Sequence, residues 1–158
     1  MSAPVRYRIV PRSPEAHLFE VACGVDDPAP EGQAFRLPTW IPGSYLIREF
    51  AKNIVTLRAE AGGQPVAIAK TGKDTWRCAP CAGPLTVTCD VYAWDLSVRG
   101  AHLDATHAFF NGTSVFLSPV GMEQRECVVD IAPPAGDAYE GWRLITSLPR
   151  VDAPPYGF

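Results

Sequence analysis

The sequence predicts an all-β protein, an antiparallel β-sandwich of about eight to twelve strands with little helix. Three observations carry this expectation. Apolar and polar residues alternate with a period of two in most segments. The 16 prolines and 13 glycines punctuate the 158 residues into short runs. No segment holds a helical period long enough to make a full amphipathic face.

Taken in order, Val5–Val10 alternates apolar with charged or aromatic residues and reads as the first strand. Pro11-Arg12-Ser13-Pro14 breaks it, and His17–Val25 follows. Gln33–Trp40 is a third run, Leu46–Asn53 is the best short helix, and Ile54–Ala59 is a fourth strand. Gly62-Gly63-Gln64 makes a tight turn into Pro65–Ala69, and Asp74–Cys78 comes next. Leu85–Trp94 is the clearest strand: its odd-numbered positions are apolar, while Thr86, Thr88 and Asp90 face the other way. Asn111-Gly112 sits between two apolar runs and predicts a type I′ hairpin. Asn111-Gly112-Thr113 also has the form of a glycosylation sequon, but the hairpin reading is preferred. Pro133–Gly136 reads as a surface loop between two late strands, Cys127–Ile131 and Trp142–Ile145.

Composition narrows the function classes. At this length the chain buries roughly 70% of its unfolded surface and folds without staples. The net charge is −3, with no basic stripe, which argues against nucleic-acid partners. No apolar run approaches membrane-spanning length, and none follows Met1 as a leader would, so no membrane partner and a cytoplasmic location are expected. Five cysteines, an odd number, favour reduced thiols.

Cys78-Ala79-Pro80-Cys81 has redox spacing, but Ala82-Gly83-Pro84 follows where an activating helix would begin. A plain turn between strands is the better reading, and no second pair completes a zinc knuckle. His17 is expected at a strand opening, facing solvent. His102, Asp104 and His107 could be drawn as a metal site, yet on one continuous strand the two histidines would face opposite sides. No H-E-x-x-H, G-x-S-x-G or P-loop is present, so catalysis has no assigned residue in this chain.

The most informative stretch is Trp40-Ile41-Pro42-Gly43-Ser44-Tyr45-Leu46-Ile47-Arg48-Glu49-Phe50. Pro42-Gly43 suits the centre of a type II turn that would present Ser44 and Tyr45 at a rim. Arg48 could fork onto Glu49, Asp104 or a carboxylate across an interface. A structural role, with Trp40 and Phe50 in the core and Arg48 satisfied internally, competes equally. With Tyr92-Ala93-Trp94-Asp95-Leu96-Ser97-Val98-Arg99-Gly100-Ala101-His102-Leu103-Asp104 and Phe109–Ser114, this run resembles the N-terminal domain of the glycyl-aminopeptidase family of zinc metallopeptidases, whose members often also carry a PDZ domain. The resemblance covers about residues 5 to 150.

That resemblance implies a β-sandwich, placed at 1–150, preceding a thermolysin-like catalytic domain. The zinc would be held there, by an H-E-x-x-H and a downstream Glu. Residues 151–158 are expected to be a connector, with a tail folded back on the domain as the other reading. The implied function is a non-catalytic domain of a zinc-dependent aminopeptidase. Its partners would be the catalytic domain of the same polypeptide and that enzyme's peptide substrate. Ser44, Tyr45, Arg48 and Asn111 are the candidates for the substrate cleft or domain interface. The alternatives are a stand-alone module binding peptide or carbohydrate and, less favoured, a thiol oxidoreductase.

Overall fold

A computed structural model describes residues 2–158. Twelve strands are present among them: β1 (Val5–Ser13), β2 (Leu18–Val25), β3 (Ala34–Arg36), β4 (Ile54–Ala61), β5 (Gln64–Val66), β6 (Ile68–Lys70), β7 (Thr75–Cys78), β8 (Leu85–Tyr92), β9 (Ala101–Leu103), β10 (Ala108–Phe110), β11 (Ser118–Pro119) and β12 (Cys127–Ile131). The only helical segments among the described residues are four 3-10 turns, Pro14–Ala16, Phe50–Asn53, Gly112–Ser114 and Asp137–Tyr139. The all-β expectation holds. None of these helices is long and apolar enough to cross a membrane.

A six-stranded sheet runs β12-β1-β2-β8-β4-β5, a four-stranded sheet runs β11-β3-β7-β6, and β9 and β10 form a hairpin. Every pairing is antiparallel except β1 with β12, which is parallel. The inward side chains of both large sheets meet in one core. It includes Ile9, Phe19, Val21, Leu85 and Val87 from one sheet, Phe35, Trp76 and Cys78 from the other, Leu103 from the hairpin, and Leu37, Val115 and Leu117 from the connections. Burying each large member fully contributes about 1.5–3 kcal/mol. Tyr7 on β1 donates its hydroxyl to the Leu117 carbonyl at 2.9 Å, tying the six-stranded sheet to the segment that leads into β11.

Several expectations fail for identifiable reasons. Thr88 and Asp90 do leave the apolar face of β8, yet both are buried. β8 is flanked by β2 and β4, and long neighbours cover its outer face: Arg12 donates to Asp90 Oδ2 at 2.9 Å, and Thr56 Oγ1 to the same oxygen at 2.7 Å. β1 runs through Pro11 to Ser13 by way of a register shift. In Gln33–Trp40 only Ala34–Arg36 pairs, because Pro38 and Pro42 disrupt the ladder beyond it. Helix between Leu46 and Asn53 shrinks to one 3-10 turn at its end. Trp142–Ile145 is not a strand; Trp142 packs edge-on against Tyr139 at 5.5 Å, and Ile145 is exposed.

The predicted Asn111-Gly112 hairpin is also absent. Asn111 has φ −92° and caps the Gly112–Ser114 turn, its side chain accepting from the Thr113 amide. Asn serves equally well as a cap and in a hairpin turn, and here capping wins. The hairpin forms earlier, where β9 and β10 pair around residues 104–107.

Candidate functional site

The signature run forms a loop closed at its base, where the Arg48 amide donates to the Thr39 carbonyl. At its tip Ser44 N donates to Ile41 O at 3.1 Å, and Gly43 takes φ +84°. This is the type II geometry expected of Pro42-Gly43, with glycine in the left-handed position. Ile41 and Phe50 are buried and root the loop in the core. Between these roots Tyr45 is fully exposed, with Leu46 63% and Ile47 70% exposed.

The two ends of the expected rim part company. Tyr45 is presented to solvent, but Ser44 is buried at 8% exposure. Its hydroxyl donates to Leu46 O at 2.9 Å and accepts from Leu46 N at 3.3 Å and Arg48 Nε at 3.2 Å. Ser44 is thus the internal peg of the loop. Arg48 makes no ion pair among the described residues; neither Glu49 nor Asp104 takes it. Trp40 is half exposed rather than core, and its indole N–H donates to the Ser44 carbonyl. Beside it lies a shallow concavity of about 300 Å³ lined by Arg36, Pro38, Thr39, Trp40, Ser118 and Glu123. Asn111 is tied elsewhere: besides capping, its Nδ2 approaches Val98 O at 3.4 Å, and no hydrogen bond links it to Ser44, Tyr45 or Arg48.

A second cluster lies at the β9–β10 turn. The Asp104 amide donates to His107 O at 3.1 Å, which reverses the chain and brings His107 back over His102, their ring centroids 5.0 Å apart. The opposite-face expectation fails because β9 ends at Leu103. His102 also stacks on Trp94 at 4.8 Å, and His17 lies on the same indole at 4.0 Å. His17 is therefore half-buried, with Nδ1 2.7 Å from Leu103 O, instead of facing solvent. The Thr106 hydroxyl, then His102, hold the Asp104 carboxyl well below the usual carboxylate range. Sequence spacing hides this cluster, since only the reversal at Asp104 creates it.

The cysteines are all free. Burial pushes the Cys78 thiol up to about 11, the opposite of redox activation, and residues 79–84 form the turn from β7 to β8.

Residues 6–158 match the family model described as the Peptidase M61 N-terminal domain. The chain belongs to that family. A crystal structure of an aminopeptidase N family protein from Idiomarina loihiensis is similar to 96% of this chain, with a TM-score of 0.89 and 39% identity. The M61 domain spans 25% of that protein's chain. No curated protein sequence matches it. The M61 domain carries no H-E-x-x-H motif.

Proposed function

We propose that this M61 N-terminal domain acts as the non-catalytic support of a zinc-dependent aminopeptidase domain in the same polypeptide. In this reading the loop from Trp40 to Ile47 forms part of the junction and shapes the entrance for the peptide substrate. The observation that carries it is the pairing of a rigid base with an apolar tip: Tyr45, Leu46 and Ile47 stand exposed on a loop pegged by Ser44. Contiguous exposed apolar side chains on an ordered scaffold mark interaction surfaces. That the domain spans a quarter of the Idiomarina protein supports a larger body for this loop to meet. Zinc would be bound by that body. The five free thiols favour a reducing, cytoplasmic setting.

The test is kinetic, on the full-length polypeptide. Tyr45→Ala and Arg48→Ala are expected to change kcat/KM toward peptides while the melting temperature of the domain stays within a few degrees. Unchanged kinetics with unchanged stability would sink the proposal. The concavity beside the half-exposed Trp40 favours one rival, a stand-alone module for peptide or carbohydrate. Saturable binding of such a ligand by the isolated domain, lost on Trp40→Ala, would favour it.

A further inference from the structure

We propose that His102, Asp104 and His107 form a binding site for a divalent first-row transition ion of the zinc type. Their donor atoms already lie within 4.8 Å of one another. His102 Nε2 is 3.0 Å from Asp104 Oδ2, and His107 Nδ1 is 3.4 Å from Asp104 Oδ1. Metal–ligand bonds of about 2.0–2.2 Å in tetrahedral geometry put neighbouring donors about 3.3–3.6 Å apart. The longest separation, up to 4.8 Å, must therefore close by about 1.2–1.5 Å. His107 can supply that movement, because its side chain is 52% exposed on the turn.

The rest of the cluster is held in place. His102 is 7% exposed and stacked on Trp94, which fixes its ring plane. Asp104 uses its two oxygens differently. Oδ1 accepts from Thr106 N at 2.7 Å, Thr106 Oγ1 at 2.6 Å and His107 N at 3.0 Å, so the turn itself orients the carboxylate. Oδ2 has only His102 as partner. An entering ion would replace that one hydrogen bond and take Oδ2, His102 Nε2 and a nitrogen of His107. Two imidazoles and one carboxylate suit zinc, cobalt or nickel better than calcium or magnesium, which prefer all-oxygen shells. Three protein donors leave the fourth position to water or to a donor from another molecule.

The experiment titrates the chain with Zn²⁺ against a chromophoric chelator, and with Co²⁺ followed by visible absorption. One saturable ion per chain is expected, with shifts of the His102 and His107 ring protons. His107→Ala and Asp104→Asn should each weaken binding by about tenfold or more, with the fold checked by circular dichroism. His17→Ala, outside the donor set, should retain it. The proposal is overturned if no saturable binding occurs, if His107→Ala leaves affinity unchanged, or if cobalt shows a thiolate charge-transfer band, which would place the ion on cysteine.

Discussion

Trp40 donates its indole N–H to the carbonyl oxygen of Ser44 at 2.9 Å, so the ring clasps the signature loop across Pro42-Gly43 from outside the core. Trp40→Phe keeps an aromatic face, smaller than the indole, but removes the donor. A single intramolecular hydrogen bond contributes about 0.5–1.5 kcal/mol, and the denaturant midpoint should fall accordingly. Ser44→Ala removes the buried peg with several partners and should cost more, about 1–3 kcal/mol.

Gly32 and Gly43 both sit at positive φ, +108° and +84°, but they differ in surroundings. A Cβ on Gly43 meets nothing within 4 Å, whereas one on Gly32 would lie 2.4 Å from the Cys78 carbonyl oxygen. Gly43→Ala should therefore cost only the backbone strain, about 1–2 kcal/mol. Gly32→Ala adds a backbone collision and should destabilise the domain more than Gly43→Ala. Equal urea midpoints for the two variants would contradict this.

Removing the hydroxyl in Tyr7→Phe cuts the tie to Leu117 while the ring keeps its contact with Phe116, 4.9 Å between centroids. The Leu117 carbonyl loses that donor, and the expected loss is about 1–2 kcal/mol. Thermal unfolding of the two proteins side by side measures it.

The thiols make stability fall in alkali. Burial pushes Cys23 and Cys89 up to about 12 and Cys78 up to about 11 from an unfolded value near 9. Between these limits the folded chain holds protons that the unfolded chain has released. Their contribution is complete below about pH 9 and is lost as pH rises through about 11–12. Melting temperature should decline steadily above pH 9. Under native conditions a mild alkylating reagent should modify exposed Cys127 first, and Cys23, Cys78 and Cys89 only on unfolding, as mapped by mass spectrometry.

Alternation exposed β1, β2, β4 and β8 in the sequence because each spans eight or nine residues with one face in the core. β9, β10 and β11 escaped it, since two or three residues carry no measurable period; β9 and β10 pair only with each other across a short turn, and β11 pairs with distant β3. Trp142–Ile145 misled in the opposite sense: its residues suit a strand, but no sheet edge receives them. At the signature loop the Pro42-Gly43 turn was readable from residue type alone. The burial of Ser44 was not, because it depends on how Thr39 and Arg48 close the loop behind it. The same holds at His102 and His107, where a four-residue reversal brings together side chains that linear spacing had set apart.

The parallel strand β12 occupies one margin of the large sheet, where an unpaired ladder would ordinarily invite foreign strands. The last residues take that place themselves. Phe158 and Val129 exchange amide-to-carbonyl bonds of 2.8 Å in both directions, and Ile131 N reaches Tyr156 O at 3.0 Å. At the opposite margin β5 is short and carries Pro65, which cannot donate. The β12 flank is thereby closed to edge-to-edge recruitment, while at the other β5 covers only Ala59–Ala61 of β4 and its proline blunts the edge it presents.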